Sequence, residues 1–366
     1  MIEKFVILLL PLFAPSMSEF ETEPEFEFES VSVQSSTALE STSTLPLRDP
    51  EWARTVRVFS YLQAAVLNDH LADAVFRNDI VFHCKAATAT NTDNSIFPIH
   101  PGDIDGFKRL DIGYRLGLFL HGWESRSQDN IWMLDILKTW SKRENINVCI
   151  VDWGGLSKAD YMKVASNIFD VGLTVASVIE SLERTKLFDR SNITLTGYSL
   201  GAHAAGFAGQ RLGGQVDHII GLDPAGPMFT VPADVGSKYR LDESDGRFVQ
   251  VIHTTGGVLG VMAKSGHADF YPNGGVSPQT NCAFPFREST SSRVVCSHYT
   301  AVKYFTYSMD KDLSYVGYQC NNYGMFLFGK CRSNAKGIFG IHTKRLSGRF
   351  YFRTNKDAPY VERLKI

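Results

Sequence analysis

A serine between two glycines carries the clearest chemical pattern in this sequence. The segment Gly197-Tyr198-Ser199-Leu200-Gly201 follows the strand-like run Ile193–Thr196 and precedes a helical pattern that begins near Gly201. In such a strand–turn–helix the central residue takes strained backbone angles, and its glycine neighbours must be small. The hydroxyl then stands above the sheet edge, at the positive end of the helix. Ser199 is therefore the predicted nucleophile.

Asp223 is the predicted acidic partner of this serine. A serine hydroxyl needs a positioned base, which a carboxylate in turn orients. The strand-like run His218–Ile220 leads into Asp223, 24 residues after Ser199, which leaves room for one helix and one strand. Asp223 should thus lie at the same sheet edge, and Pro224 and Gly226 end its strand. Three other acids, which precede this strand or lie in polar loops, fit less well: Asp217, Asp242 and Asp245.

Spacing alone leaves the base open among four histidines. His203 is excluded because it follows Ser199 by four residues on the same helix and cannot reach round to the hydroxyl. We expect it to be a packed or hydrogen-bonded helix residue. His298, two residues after Cys296, is predicted to lie in a loop before a helix at Tyr299–Tyr307, and a loop anchored by a disulfide suits a base. The candidates that follow Asp223 in the chain are His253, His267, His298 and His342.

Two backbone amides are candidates for an oxyanion hole, which needs N–H groups aimed at the developing charge. One belongs to Leu200, directly after the proposed nucleophile. The other belongs to Trp123, because the strand-like run Leu118–Leu120 ends in the turn His121-Gly122-Trp123.

Short apolar runs alternate with longer amphipathic ones from residue 79 onward, and these elements must position the residues above. Runs at residues 80–82, 116–120 and 148–151 read as strands, and apolar residues recur at helical spacing from Tyr161 to Leu182. This alternation predicts an α/β fold with a mostly parallel sheet covered on both faces. Ligands bind at the carboxyl ends of such strands.

The first 49 residues differ from the rest. Lys4 precedes an apolar run of about ten residues, too short to cross a bilayer, and the small residues after it predict a secretory signal at residues 1–18. Residues 19–49 are acidic and then rich in Ser and Thr, which predicts a disordered leader. A folded domain is expected over 50–366, and no later stretch is predicted to span a membrane. We therefore expect a secreted, extracellular protein.

Overall charge gives little indication of a nucleic-acid partner, because the formal net charge is −2. The six cysteines of a secreted chain predict disulfides before metal ligands. Cys282 with Cys296 and Cys320 with Cys331 close short local loops, whereas Cys84 and Cys149 lie in strand-like runs and are either bridged or two buried thiols. The sequon at Asn192 lies in a turn before the Ser199 strand, where glycosylation is plausible in a secreted chain.

Several long motifs, in the same order, resemble the pancreatic lipase family, and the resemblance covers about residues 79–355. It implies an α/β-hydrolase fold and a carboxylic ester hydrolase acting on lipids, with Ser199, Asp223 and His298 as the triad and the Trp123 and Leu200 amides as the oxyanion hole. The motifs are Val151-Asp152-Trp153, residues 197–206, residues 221–227, Val251-Ile252-His253-Thr254, residues 266–275 and Cys296-Ser297-His298.

Departures from the family pattern shape three further expectations. We expect no C-terminal β-sandwich after the lipase domain, and therefore no colipase partner. Arg240, Asp242 and Asp245 match the family's calcium loop, but Ser237 stands where the pattern has a glutamate, so no metal is predicted, and no cofactor. The expected partner is a lipid substrate at a membrane or emulsion interface.

Loop lengths bear on the substrate. The resemblance places a lid at Ala283–Val295, and both this lid and the neighbouring loop between His253 and His267 are short. Short loops favour a phospholipase A1-like preference for polar lipids. The alternatives are triacylglycerol hydrolysis and, in a different class, a non-catalytic lipid-binding relative resembling yolk proteins.

Overall fold

A computed structural model describes residues 78–89, 96–123, 125, 131–144, 146–231, 233–283 and 289–361. The predicted signal and leader lie outside the described residues, as does the predicted start of the domain at residue 50. Residues 284–288 of the predicted lid also lie outside them.

Eleven strands of the described chain form one sheet, in the order β10-β9-β11-β8-β7-β6-β5-β3-β4-β1-β2. The block from β11 through β8, β7, β6, β5 and β3 to β4 is parallel, and β1, β2, β9 and β10 add antiparallel pairings at its two ends. The strands are β1 (Val81–Lys85), β2 (Phe97–Ile99), β3 (Arg115–Leu120), β4 (Ile146–Asp152), β5 (Ile193–Tyr198), β6 (His218–Leu222), β7 (Val249–Ile252), β8 (Ala268–Pro272), β9 (Tyr315–Gln319), β10 (Lys336–Phe339) and β11 (Gly348–Phe352).

Helices cover both faces of this sheet. The α-helices are α1 (Ile131–Glu144), α2 (Tyr161–Arg184), α3 (Leu200–Arg211), α4 (Thr290–Ser308) and the short α5 (Tyr323–Leu327). Side chains of α2 and α3 share one apolar core with one face of the sheet, and those of α1 and α4 share a second core with the other. Every residue of β4 and β6 is buried, as expected where helices cover both faces. The predicted α/β fold is confirmed.

Helix α2 is the longest described helix, and it meets the length and hydropathy of a membrane-crossing segment, which the sequence reading did not predict. Its N-terminus is capped by Asp160, whose carboxylate accepts the Met162 N–H. However, most of the apolar stretch of this helix is buried inside the fold, as in the core helices of many folded domains. Its apolar stripe belongs to the core.

All six cysteines are paired. Cys282 is bonded to Cys296 and Cys320 to Cys331. Cys84 and Cys149, whose state the sequence left open, are direct antiparallel neighbours on β1 and β4 and form the third disulfide.

The close approach of α2 to α3 depends on Gly172. A Cβ at this position would lie 2.7 Å from the Ala204 carbonyl oxygen and 2.7 Å from the Phe207 Cβ, both on α3. These distances are too short for any side chain, so glycine sets the spacing of the two helices. Because Ser199 directly precedes α3, this packing also supports the turn that contains the serine.

We expect Gly172→Leu to lower the free energy of unfolding by about 1–3 kcal/mol, because the overpacked interface must spread. Urea titration would measure this change. Lys163→Leu, on the exposed side of α2, is the matched control and should change stability by less than about 0.5 kcal/mol. Equal effects of the two substitutions would contradict the packing argument.

Candidate active site

Ser199 occupies a strained turn between β5 and α3, with φ 57° and ψ −120°. A Cβ at Gly197 would lie 2.2 Å from the Gly201 carbonyl oxygen, and one at Gly201 would lie 2.3 Å from the Leu120 carbonyl oxygen. Both flanking positions therefore require glycine, as the sequence pattern predicts. A non-glycine residue at positive φ marks strain that is common at functional sites.

Asp223 follows β6, and its carboxylate is completely buried. One oxygen accepts the backbone N–H groups of Thr254 at 2.7 Å and Thr255 at 3.1 Å. The other accepts the Thr255 hydroxyl and lies 2.6 Å from Nδ1 of His298. Burial alone would raise the pKa of Asp223, but the hydrogen bonds from His298 and the two threonines, with the attraction of the imidazole, outweigh it and lower the pKa. The carboxylate is thus held ionised.

His298 lies inside helix α4, so the predicted loop before a helix at Tyr299–Tyr307 is wrong. The helix begins nine residues earlier, at Thr290, where the hydroxyl of Ser289 accepts the Ser292 N–H and caps it. Several residues of this first part are β-branched or serine and have weak helix propensity, so the sequence alone did not reveal it. Burial of side chains such as Val294 against the rest of the fold stabilises these first helical turns, which have weak intrinsic helix propensity.

The other candidate histidines have different neighbours. His253 is fully buried, with Nδ1 2.6 Å from the Val261 carbonyl oxygen and Nε2 2.8 Å from Asp269. His267 accepts the Val249 N–H at the amino end of β7, which is the opposite edge of the sheet from Asp223. His342 follows β10, the outermost strand of its end of the sheet. Among the described residues, His298 is the histidine that contacts Asp223.

His203 is a packed helix residue, as the sequence indicated. Its Nδ1 accepts the Leu241 N–H at 3.1 Å, so Nε2 carries the proton and donates to the Ala225 carbonyl at 2.8 Å. The ring stacks on Phe229 with centroids 3.8 Å apart. Burial lowers the pKa of His203 to about 3, so the ring stays neutral.

The turn after β3 is clamped beside Ser199. His121 Nε2 accepts the Trp153 N–H at 3.1 Å, and the Trp153 indole N–H donates to the His121 carbonyl at 3.0 Å while the two rings stack. A Cβ at Gly122 would lie 3.0 Å from the Ser199 Cβ, so glycine lets this turn approach the serine. The clamp therefore holds the backbone of Trp123 close to Ser199.

The two predicted oxyanion donors belong to Trp123 and Leu200, which both lie beside Ser199. The Trp123 ring is held by its indole N–H, which donates to the Ala159 carbonyl at 3.1 Å, and by an edge contact with Tyr161. Leu200 is the first residue of α3, so its N–H has no acceptor within the helix. The oxyanion role of these two amides stays a prediction from the sequence.

Ser199 and His298 both line a cavity of about 210 Å³. Each is less than a tenth exposed. Most of the remaining lining is apolar, and Leu259 and Val295 form part of one wall. Five aromatic side chains contribute to it: Trp123, Trp132, Tyr161, Tyr198 and Tyr299. A pocket of this kind accommodates an apolar chain next to a polar reacting group.

Comparison with known families matches residues 90–360 to the family described as Lipase. The chain belongs to the lipase family. Human pancreatic triacylglycerol lipase is 36% identical over 227 residues, which cover 58% of this chain and 48% of that protein. Pancreatic lipase-related protein 2 of Cavia porcellus is 37% identical over 228 residues, which cover 61% and 50%. These relatives support the resemblance to pancreatic lipases, although the chain spans only about half their length.

Solved structures give a weaker match. Protein TT1662 from Thermus thermophilus aligns with a TM-score of 0.32 and 16% identity, over 41% of this chain and 71% of that one. This likeness is too slight to bear on the fold, which rests on the sheet order and the family match.

In this member of the lipase family, the residues that match the family's calcium loop are hydrogen-bonded largely to one another. Asp245 accepts the Asp242 N–H with one oxygen, and Asp242 accepts the Ser244 N–H. The Arg240 guanidinium pairs with Asp234 and also donates to the Leu241 carbonyl within the loop at 3.1 Å. Burial raises the pKa of Asp245 well above its usual value. Among the described residues, no group of three His, Cys, Asp or Glu lies close enough to hold a metal ion.

Sequence reasoning missed the residues that hold the carboxylate of this lipase-family site. Thr254 ends the family motif Val251-Ile252-His253-Thr254 and Thr255 follows it, but nothing in the motif indicated that these threonines donate to Asp223. Gly260 was also missed, and a Cβ there would lie 2.3 Å from an Asp223 carboxylate oxygen. Gln279 donates to the Thr254 carbonyl from across the fold.

We expect Gly260→Ala to reduce kcat on a soluble ester about a hundredfold, because the new methyl group displaces the Asp223 carboxylate from His298. Steady-state kinetics would measure the loss, and circular dichroism would verify the fold. Gly102→Ala is the matched control, since a Cβ at Gly102 meets nothing within 4 Å. If the Gly260 variant keeps full activity, the close contact between Gly260 and the Asp223 carboxylate does not determine the geometry of the site.

Proposed function

We propose that this chain is a serine carboxylic ester hydrolase that cleaves fatty-acyl esters of lipids, with Ser199, His298 and Asp223 as its triad. The observation that carries the proposal is the 2.6 Å contact between Asp223 and Nδ1 of His298, beside a strained Ser199 that shares an apolar cavity with His298. Membership of the lipase family supports the same reaction class.

In the proposed mechanism, Ser199 Oγ attacks the ester carbonyl while Nε2 of His298 takes its proton. Asp223 keeps Nδ1–H as the donor and stabilises the imidazolium that forms. The backbone N–H groups of Trp123 and Leu200 stabilise the tetrahedral oxyanion. His298 then protonates the leaving alcohol. Water hydrolyses the acyl-enzyme with the same base and restores Ser199.

Within this reaction class we propose phospholipid hydrolysis, of the phospholipase A1 type, as the preferred activity. The loop between His253 and His267 lies folded onto the turn after β6, since Gly226 N–H donates to the Leu259 carbonyl at 2.7 Å and Val261 N–H to the Pro224 carbonyl at 2.8 Å. Leu259 packs against Val294 of α4. A loop held down in this way leaves room beside the pocket for a polar head group.

Triacylglycerol hydrolysis is the second candidate. The human relative is named as a pancreatic triacylglycerol lipase, and the apolar lining of the cavity suits any acyl chain. A non-catalytic lipid-binding role is less well supported, because the three residues of the proposed triad are all present. We further propose an extracellular location and a lipid interface as partner, supported by the three disulfides. Asn192, the proposed glycosylation site, is exposed.

Ser199→Ala should fold normally yet lose ester hydrolysis by at least about four orders of magnitude, because no other group replaces the nucleophile. Turnover of a p-nitrophenyl ester and covalent labelling by an organophosphate would measure this. Ser125→Ala is the matched control, since Ser125 also lines the cavity. It should keep activity and labelling, and labelling of a serine other than Ser199 would refute the assignment.

A substrate panel tests the head-group preference. We expect phosphatidylcholine to be hydrolysed at the sn-1 position faster than emulsified long-chain triacylglycerol. The reason is that the loop between His253 and His267, folded onto the turn after β6, leaves room beside the pocket for a polar head group. Release of fatty acid from matched acyl chains would measure both rates. Much faster cleavage of triacylglycerol would show that the short-loop argument is wrong and that the second candidate is correct.

A further inference from the structure

An apolar hairpin stands on the surface beside strand β11. The disulfide between Cys320 and Cys331 closes it, and helix α5 lies within it. Tyr323 and Phe326, three residues apart on α5, face inward and stack on Tyr351 of the sheet, with ring centroids 6.0 and 6.3 Å apart. The inward face of α5 is thus a structural anchor.

The outward side of the same hairpin is apolar and exposed. Phe328 is 83% exposed, Leu327 45% and Met325 39%. Single exposed apolar residues are ordinary on protein surfaces, but three within four positions on a disulfide-closed loop form a raised patch. Because the disulfide and the Tyr351 stack hold this tip in place, inserting it into another phase costs little ordering entropy.

The chain around the tip is strongly basic. Residues 313–356 contain eight Lys or Arg and no Asp or Glu, and all eight are exposed. In this described segment, Arg345 alone is paired with a carboxylate, that of Asp217. The three nearest the tip in sequence are Lys330, Arg332 and Lys336. Arg332 folds back towards the residue after Phe328, since a Cβ at Gly329 would lie 3.0 Å from its Nε.

The hairpin also adjoins the edge of the sheet where the candidate site lies. Tyr323 contacts the turn after β8, because a Cβ at Gly274 would lie 2.8 Å from its ring. The next residue, Gly275, accepts the Gly256 N–H, and Gly256 directly follows Thr255, which donates to Asp223. The start of α5 therefore reaches the carboxyl edge of the sheet, whereas the disulfide lies towards the amino end of β11, where the Cys320 N–H donates to the Arg349 carbonyl at 2.9 Å.

We propose that the Cys320–Cys331 hairpin is a docking surface for an anionic lipid bilayer. Met325, Leu327 and Phe328 insert at the boundary between head groups and acyl chains, while the flanking lysines and arginines attract anionic head groups. Apolar insertion combined with basic flanks is the composition of interfacial anchors. The idea that this surface brings an enzyme to its substrate rests on the proposed function. The binding itself does not require catalysis.

Vesicle binding tests the proposal in a Ser199→Ala background, so that lipid is not consumed. The parent should bind phosphatidylcholine vesicles that contain phosphatidylserine more tightly than pure phosphatidylcholine vesicles. Replacing Met325, Leu327 and Phe328 by Ser should weaken the partition about tenfold or more. Replacing Lys330, Arg332 and Lys336 by Ser should weaken binding to the anionic vesicles by up to about a hundredfold, and raised salt should reproduce that loss.

Matched controls come from elsewhere on the chain. Ile112 is 56% exposed and precedes β3, at the sheet edge opposite the site, so Ile112→Ser should leave binding unchanged. Replacing the exposed Lys108, Lys142 and Lys163 by Ser removes the same charge outside residues 313–356 and should have a far smaller effect. Equal losses in control and hairpin variants would overturn the proposal, as would binding of soluble heparin without binding of vesicles.

Direct insertion gives a second readout, which does not depend on removing side chains. The tryptophan of Phe328→Trp should be quenched by lipids with brominated acyl chains. The tryptophan of Ile112→Trp should fluoresce but should not be quenched by them. Absence of quenching at position 328 would overturn insertion. Hydrolysis of soluble p-nitrophenyl butyrate by hairpin variants with Ser199 intact should match wild type. If wild type hydrolyses no ester, the proposed function fails, and the vesicle result stands separately.

Discussion

A buried carboxylate is the constraint on which the rest of this site depends. Asp223 has no solvent contact, so its charge must be stabilised by the protein. The stabilising donors come from two separate parts of the chain: the backbone of Thr254 and Thr255 together with the Thr255 hydroxyl, after β7, and His298 on α4. Loss of any one of them leaves a buried charge short of a partner. The loop after β7 and helix α4 are therefore tied to the carboxyl edge of the sheet by electrostatics as well as by packing.

Close backbone approach is the second requirement of the fold. Around Ser199 and Asp223, four glycines stand where an added Cβ would press on neighbouring backbone or side chain: Gly122, Gly197, Gly201 and Gly260. Such contacts hold the turns rigid, because neither side has space to move. Rigid turns present hydroxyl, amides and imidazole in one arrangement before substrate arrives, which is the condition for electrostatic stabilisation of a transition state.

Much of the central architecture could be predicted from local patterns. The strands at Arg115–Leu120 and Ile193–Tyr198 and the long helix Tyr161–Arg184 have strong apolar periodicity, and the structure has them close to their expected bounds. The helix that contains His298 begins well before its expected start, because cap and burial outweigh a sequence with weak helix propensity. The strands β9, β10 and β11 at one end of the sheet were not predicted, since short strands on the outer part of a sheet take their order from distant pairing.

The sequence by itself determined the serine turn, the acid one strand away, the glycines beside them and the lipase-family pattern, because each depends on residue type at short range. The family resemblance implied His298 as the base, but only the tertiary structure showed that it contacts Asp223, that Cys84 and Cys149 are bonded, and that Thr255 and Gly260 border the carboxylate. These contacts join residues far apart in the chain. Their geometry follows from the order of the strands and the packing of the helices, and neither leaves a mark in local composition.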